Sequence, residues 1–484
     1  MQRRLRTKLV IAAAAFGIAI PGVAACGSGY QAGVINVYPP ADGASEIAKI
    51  AEKCSAGSGG AYRIVSTPLP KSADDQRLQL ARRLAGNDHG LDLMGMDVVW
   101  TAEFADAGWI KPVPDALAKT ISAQTLSGPL ETARWKTASD TEKRLYAIPT
   151  WTNTQFVWYR PDVMRQYLQR ATPPKTWDQL LSDNKTITDA GGPSYIMVQG
   201  KQYEGLMVWF TSVLASAGGQ ILDPNDPNKV TLADTPEHRA ATVKALSILK
   251  AVATAKGHDP SLTNSDEGSA RLGMETGKAS FEINWPFVWA SMRSNAAAGD
   301  VPFFTDSSGK IIPALAPYTS MLTDEENPPT DAELAPANRA VRTKFSWGLY
   351  PGVSADHKMR PPLGGINLAV ASTSRQPELA FQAAQCLTNA QAQKQYAVSG
   401  GTPPTIASIY DEPDFKASYP MGDDIRRQLE ITGAPARPAS PVYQSISTLI
   451  TAKLSPVGQW DPEALVDPLV EQVRKAINGE GLVP

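Results

Sequence analysis

The sequence predicts an α/β fold in which a mostly parallel sheet is flanked by helices. Two observations support this class. Segments typical of strands and helices alternate from residue 34 onward, and hydrophobic residues make up 43% of the 484 residues, which is enough for large buried cores. At roughly 150 residues per domain, this length corresponds to about three compact units or two large lobes.

Residues 1–25 have the three parts of a secretory signal: a basic start, an apolar run over 9–20, and small residues before Cys26. The apolar run is too short to span the ~30 Å hydrocarbon core of a bilayer. Residues 23–26 (VAAC) resemble a bacterial lipobox, so we expect removal of 1–25, diacylation of Cys26 and a flexible tether over 26–32. The alternative is an ordinary secretory signal next to a passive cysteine.

The first folded segment is predicted to be β-α-β-α-β. Strands are expected at 34–38, 62–65 and 91–94, and helices at 44–54 and 72–84. Ligands of parallel sheets bind beyond the carboxyl ends of the strands. We therefore expect Asp97 and the turn over 39–46 to face one crevice.

The later elements follow from periodicity and capping signals. Residues 147–159 are predicted to be extended, Thr235 is a predicted N-cap followed by Pro236, and 305–344 is predicted to be an irregular excursion. Residues 279–283 and 363–370 are predicted strands. Helices are predicted from about 176 and over 204–217, 267–275, 377–387, 443–454 and 462–477.

Charge and motifs argue against several function classes. The 46 basic and 48 acidic residues give a formal charge of −2, so no basic excess indicates a nucleic-acid partner. The four histidines are scattered, and neither a P-loop, a G-x-S-x-G elbow nor an H-E-x-x-H motif occurs, so no metal or other cofactor is expected. Adjacent carboxylates such as Asp74 and Asp75 leave a secreted glycoside hydrolase as an alternative. A structural envelope lipoprotein without a ligand is another.

The cysteines and tryptophans carry the remaining signals. If Cys26 is lipidated, Cys54 and Cys386 remain, and export to an oxidising compartment suggests a disulfide between them; two separate buried thiols are the alternative. Eleven tryptophans, several close to acidic residues, are typical of sugar sites, in which an aromatic ring covers the apolar face and polar groups bind the hydroxyls. Core packing is the alternative for each of them.

Several segments in order resemble the extracellular solute-binding proteins of carbohydrate ABC importers, and within that family the trehalose-binding lipoproteins. These segments are LDLMGMDVVWTAEFADAGW (91–109), TNTQFVWYRPD (152–162), ARLGMETGKASFEINWPFVWASM (270–292) and GGINLAV (364–370), with DGA at 42–44, ADDQRLQLARRL at 73–84, DEGSARL at 266–272, NWPF at 284–287 and ARPASPVYQ at 436–444.

The resemblance implies a two-lobed, periplasmic-binding-protein-like fold of type II, closing on a disaccharide such as trehalose without catalysis. It places the protein on the outer face of the cytoplasmic membrane, as a monomer that delivers sugar to permease subunits driven by an ATPase. Lobe I would comprise 33–152 plus 346–396, and lobe II 156–345 plus 400–484. Cys54 and Cys386 then both fall in lobe I, which makes their disulfide spatially reasonable.

The same resemblance implies the residues that contact the sugar. Asp97 and Glu267 would accept hydrogen bonds from hydroxyls, Asn153 would donate and accept, Trp285 would stack, and Arg437 would donate. Further candidates are Asp42, Gln76 and Gly365, the last allowing close approach of the sugar ring. Other interpretations remain open: Asp97 as a turn cap, Glu267 as a helix-start carboxylate, and Arg437 as an interlobe salt bridge.

Overall fold

The computed structural model describes residues 29–324, 329–432 and 437–480. Within them the strands are β1 (Val34–Tyr38), β2 (Arg63–Ser66), β3 (Leu93–Asp97), β4 (Arg134–Trp135), β5 (Arg144–Leu145), β6 (Ile148–Asn153), β7 (Phe156–Tyr159), β8 (Tyr195–Met197), β9 (Leu222–Asp223), β10 (Asp226–Val230), β11 (Ala279–Asn284), β12 (Ser346–Gly348) and β13 (Gly364–Val370).

The helices are α1 (Ala44–Gly57), α2 (Ala73–Ala85), α3 (Thr101–Asp106), α4 (Asp115–Gln124), α5 (Ser127–Thr132), α6 (Pro161–Leu168), α7 (Trp177–Asp189), α8 (Glu204–Ser216), α9 (Pro236–Thr254), α10 (Glu267–Glu275), α11 (Phe287–Ala298), α12 (Thr319–Thr323), α13 (Asp331–Val341), α14 (Pro377–Leu387), α15 (Ala390–Gly400), α16 (Pro413–Ser418), α17 (Gly422–Thr432), α18 (Tyr443–Leu454) and α19 (Pro462–Ile477).

Two separate sheets organise the chain. The first has the order β2-β1-β3-β13-β6, with β1 parallel to β2 and β3, and β13 antiparallel to β3 and β6. This confirms the predicted β-α-β-α-β opening. The second sheet has the order β12-β7-β11-β8. We call the parts built around the two sheets the first lobe and the second lobe.

The predicted extended segment over 147–159 is two strands in different lobes. Strand β6 ends the first sheet at Asn153, and β7 starts in the second sheet at Phe156, so Thr154 and Gln155 form a crossing between the lobes. The sequence predicts that the chain returns to lobe I at residue 346, but the strand pairing places that return later. Strand β12 hydrogen-bonds to β7 of the second sheet, and the chain rejoins the first sheet only at Gly364.

The predicted disulfide is confirmed, because Cys54 and Cys386 are bonded with Cα atoms 5.9 Å apart. It joins α1 to α14, two helices that pack on the first sheet. Within the second lobe, the fully buried Trp158 stacks on Phe345 and Trp289, so core packing accounts for these tryptophans.

The predicted irregular excursion over 305–344 contains helices α12 and α13. Helix α13 follows a capping contact in which the Thr330 backbone N–H donates to Glu333 at 2.8 Å. Pro336 lies inside this helix. Because a proline-rich composition is typical of irregular segments, the helix was not predicted from the sequence. None of the helices among the described residues combines the length and the apolar character needed to cross a membrane.

Candidate binding site between the lobes

Several of the predicted site residues lie where the two lobes meet. Asp97 and Asn153 are the last residues of β3 and β6 in the first sheet, while Trp285 follows β11 of the second sheet. The Trp285 ring lies against the backbone of Gly364, since a Cβ atom added to Gly364 would be 2.9 Å from Trp285 Cη2. Gly364 is also the strand partner of Asn153. One interface therefore holds side chains from both lobes.

Arg437 connects the lobes through its guanidinium. Its Nη1 lies 3.2 Å from Asp97 Oδ1 and donates to Glu204 Oε1 at 2.8 Å, and its Nη2 donates to the Leu363 carbonyl at 3.2 Å. Burial alone lowers the pKa of Arg437, but Asp97 and Glu204 raise that pKa above its ordinary value, so the side chain stays charged. Arg437 and Asp97 thus form the interlobe salt bridge that was one interpretation of Arg437 from the sequence.

Asp97 has a second interaction, because its Oδ1 accepts a hydrogen bond from the Val99 backbone at 3.1 Å. This is the turn cap considered from the sequence. The same carboxylate oxygen therefore fixes the turn after β3 and contacts Arg437.

Glu204 is a further charged residue at this interface, in contact with Arg437, that the sequence did not single out. It begins α8, is buried, and accepts hydrogen bonds from Tyr443 Oη at 2.5 Å and Ser447 Oγ at 2.6 Å. Burial raises its pKa to about 7, while Arg437 opposes the rise. A single glutamate before an apolar run resembles any helix-start carboxylate, and its partners lie more than 200 positions later, so no local signal identifies it.

Glu267 is oriented at the first turn of α10. Its Oε2 accepts from Tyr203 Oη at 2.5 Å, while the preceding residue, Asp266, supplies the N-cap by pairing with Ser269. The cap is therefore provided by Asp266, which leaves the Glu267 carboxylate available for other partners. Burial raises the pKa of Glu267, Tyr203 opposes the rise, and Asp42 adds to it.

Asp42 of the first lobe lies close to these second-lobe acids. It is exposed to solvent, yet the protein around it raises the pKa of its carboxyl by desolvation. Lys71 opposes that rise and Asp266 adds to it. Solvent access together with surrounding protein is what a cleft provides.

One buried side chain supports two of the predicted contacts. Asn284, the last residue of β11, donates from Nδ2 to the Glu267 carbonyl at 3.0 Å and accepts the Trp285 backbone N–H at Oδ1 at 2.9 Å. Across the interface, Asn153 Oδ1 is buried and accepts no hydrogen bond from the described residues. A buried amide oxygen without a donor is a position where a ligand hydroxyl is favourable.

Gln76 and Gly365 have local structural roles in the first lobe. Gln76 Nε2 donates to the carbonyls of Pro70 at 2.8 Å and Lys71 at 3.3 Å. Gly365 has φ +134°, and a Cβ atom there would be 2.4 Å from the Trp151 carbonyl. The backbone that approaches Gly365 is strand β6. Contact of either residue with a ligand stays a prediction.

Two further predictions concern the lipid anchor and metal binding. Cys26 lies outside residues 29–324, 329–432 and 437–480. Within those ranges, no three histidine, cysteine or acidic side chains come together as ligands for a metal ion.

Comparison with known proteins agrees with this architecture. The family model of bacterial extracellular solute-binding proteins matches residues 67–394. A probable ABC transporter-binding protein of Deinococcus radiodurans is 25% identical over 441 residues, covering 86% of this chain and 87% of the relative.

Solved structures show the same fold. Maltose-bound MalE3 of T. maritima aligns with a TM-score of 0.72 at 22% identity, covering 91% of this chain and 99% of that one. The GacH receptor of Streptomyces glaucescens aligns with a TM-score of 0.70 at 17% identity, covering 93% and 100%. The predicted periplasmic-binding-protein-like fold is confirmed. On its family match over more than half its length, the chain belongs to the bacterial extracellular solute-binding proteins, which bind solutes and are not enzymes.

Proposed function

We propose that this protein is the sugar-binding lipoprotein of an ABC importer, and that its ligand is trehalose or a close disaccharide analogue. The family match and the Deinococcus relative, described as ABC transporter-binding, support the transport role. The maltose carried by the T. maritima relative supports a sugar as ligand. The segments at 42–44, 73–84, 266–272, 284–287 and 436–444 resemble the mycobacterial trehalose-binding lipoprotein LpqY and support trehalose.

The observation that carries the proposal is that one surface between the lobes holds the buried Asn153 Oδ1, which has no hydrogen-bond donor, together with acidic side chains and the Trp285 indole. Asp97 and Glu267 accept hydrogen bonds from sugar hydroxyls, and Arg437 and the Asn153 amide donate. The Trp285 ring covers an apolar C–H face. Carboxylates of both lobes lie near one another, since Asp42 raises the pKa of Glu267, and this arrangement favours a neutral polyhydroxyl solute over an anionic one.

Binding and release follow from the two-lobed architecture. A ligand stabilises the closed arrangement only by contacting it better than the open one, and side chains from both lobes at one site provide that preference. The closed protein then meets a pair of permease subunits whose ATPase drives transport. The lobes are divided as predicted from the sequence, except at two places. Residues 346–348 pair with the second sheet, and residues 403–406 hydrogen-bond to β6 and to the segment before α5 in the first lobe.

The anchor is the second part of the proposal. Removal of residues 1–25 and diacylation of Cys26 tether the protein to the outer face of the cytoplasmic membrane. Labelling of cells with an alkyne fatty acid is expected to mark the wild-type chain and not the Cys26→Ala chain. Equal labelling of both would refute the anchor and leave the binding role unaffected.

Calorimetric titration of the chain from residue 26, carrying Cys26→Ala, tests the ligand. Trehalose is expected to release heat, and Asp97→Ala is expected to weaken binding by about tenfold or more, because sugar hydroxyls lose a charged acceptor. Asp115→Ala is the matched control, since the Asp115 side chain is 95% exposed on the first lobe.

Three outcomes would replace the proposal. Clear binding of maltose without binding of trehalose would change the ligand. Release of glucose from a disaccharide would favour the glycoside hydrolase considered from the sequence. No thermal stabilisation by any sugar would favour a structural envelope protein.

A further inference from the structure

We propose that Glu204 is a positioning residue, which holds the Arg437 guanidinium in the orientation in which it contacts the first lobe and the sugar. This inference rests on the proposed function, because it assigns a role in sugar binding to a residue that contacts the site only through Arg437. It adds a buried network behind the site to the residues expected from the sequence.

The partners of the Glu204 carboxylate belong to the second lobe. Tyr443 and Ser447 lie on α18, which packs against α8, and both donate to Glu204. Arg437 Nη1 donates to Glu204 Oε1 at 2.8 Å, and the Arg437 side chain is only 2% exposed. Two hydroxyls of the second lobe thus hold the same carboxylate that pairs with the guanidinium.

The other partners of Arg437 belong to the first lobe. Asp97 ends β3, and the Leu363 carbonyl directly precedes β13, so both move with the first sheet. Separation of the lobes removes Asp97 and Leu363 from Arg437, whereas Glu204 remains. A guanidinium already held in its binding orientation loses less conformational freedom when the lobes close, which favours affinity.

The charges around Glu204 make this role measurable. Arg437 faces Glu204 directly, Asp97 and Asp74 of the first lobe face it across the interface, and the Tyr443 hydroxyl faces it from α18. Burial raises the pKa of Glu204 to about 7, against the opposing effects of Arg437 and Ser447. As the pH falls through about 7, Glu204 becomes neutral and its hold on Arg437 weakens. Sugar affinity is therefore expected to fall in the same range.

The test is calorimetric titration of trehalose from pH 5.5 to 8.5. The isosteric change Glu204→Gln is expected to weaken binding about tenfold at pH 8 and to remove the pH step near 7. The matched control is Glu275→Gln, another buried carboxylate of the second lobe, which pairs with Arg271 and lies outside the network. It is expected to keep the pH step. A Glu204→Gln chain with wild-type affinity and an unchanged pH step would overturn the positioning role.

A second variant tests the same role if the Glu204→Gln chain does not fold. Ser447→Ala removes a donor that lowers the Glu204 pKa, so it is expected to shift the pH step upward. A step that does not move would overturn the role.

Failure of the proposed function and failure of the positioning role give different results. Wild-type protein that binds no sugar at pH 8 refutes the proposed function. The positioning role is then judged by a crystal structure of ligand-free Glu204→Gln, in which we expect the Arg437 guanidinium to leave its position. A guanidinium in an unchanged place would overturn the inference.

Discussion

Gln444 of the second lobe donates from Nε2 to Asp74 Oδ1 of the first lobe at 3.0 Å. Asp74 lies in the first turn of α2, and Gln444 lies in the first turn of α18. With the Arg437–Asp97 contact, this bond ties the lobes together on one side of the interface. The adjacent acids Asp74 and Asp75 therefore do not form a purely solvated helix face, because Asp74 contacts the opposite lobe.

Gln444→Ala is expected to open the ligand-free protein. The substitution removes one interlobe hydrogen bond, worth about 0.5–1.5 kcal/mol, so the closed population falls and sugar affinity drops by about two- to tenfold. Small-angle X-ray scattering is expected to show a larger radius of gyration without sugar. Gln395→Ala is the control, since Gln395 bonds only within the first lobe in the contacts observed, to Lys53 and Glu46. Identical scattering from both variants would contradict this role.

Asn284→Ala is expected to reduce sugar affinity by tenfold or more. The change removes the donor to the Glu267 carbonyl and the acceptor of the Trp285 N–H, so two binding side chains lose their orientation together. Isothermal titration measures the affinity, and a melting curve establishes that the variant is folded. Asn295→Ala provides the comparison, because Asn295 bonds Glu275 and Ser291 away from the interface. Equal affinities for the two variants would show that Asn284 does not position the site.

Gly365→Ala is expected to lower the free energy of unfolding by on the order of 2–4 kcal/mol. The added Cβ would meet the Trp151 carbonyl at 2.4 Å, and φ of +134° is unfavourable for alanine. Urea unfolding followed by circular dichroism measures the loss. Gly57→Ala, which meets no atom within 4 Å, is expected to leave stability within about 1 kcal/mol. A tolerated Gly365→Ala would mean that β6 and β13 can separate without loss of stability.

The opening β-α-β-α-β unit was predictable because each of its elements is encoded locally. Val34–Tyr38 is a β-branched and aromatic run, and α2 carries its acids in the first turn and its apolar residues at helical spacing. The split of 147–159 was not predictable by the same means. Strands β6 and β7 are both buried, and the crossing residues Thr154 and Gln155 are also buried, so the hydrophobic pattern is continuous through the change of lobe.

The site shows the same distinction. Asp97 follows from a general rule about strand ends, whereas Glu267, Trp285 and Arg437 depended on family resemblance. Glu204 followed from neither, because its partners Arg437, Tyr443 and Ser447 lie 233, 239 and 243 positions away in the sequence. Long-range polar pairs leave no periodic signal in a single sequence.

Glu282→Gln is expected to stabilise the protein at high pH. Glu282 is fully buried in the central strand β11, its Oε1 accepts from Asn284 at 2.6 Å, and burial raises its pKa from 4.5 to about 8. The folded state therefore keeps a proton that the unfolded state releases above pH 4.5, so the free energy of unfolding falls as pH rises from about 4.5 to 8 and is constant above that. A neutral glutamine removes this loss, which is on the order of a few kcal/mol.

Urea unfolding at pH 5 and pH 9 measures this effect of Glu282→Gln. Wild type and variant are expected to have similar stabilities at pH 5, and the variant is expected to be more stable at pH 9. Glu237→Gln, at an exposed position in the first turn of α9, is the control and should leave the wild-type difference between the two pH values intact. A Glu282→Gln chain that is no more stable than wild type at pH 9 would mean that Glu282 is stabilised as a carboxylate inside the sheet.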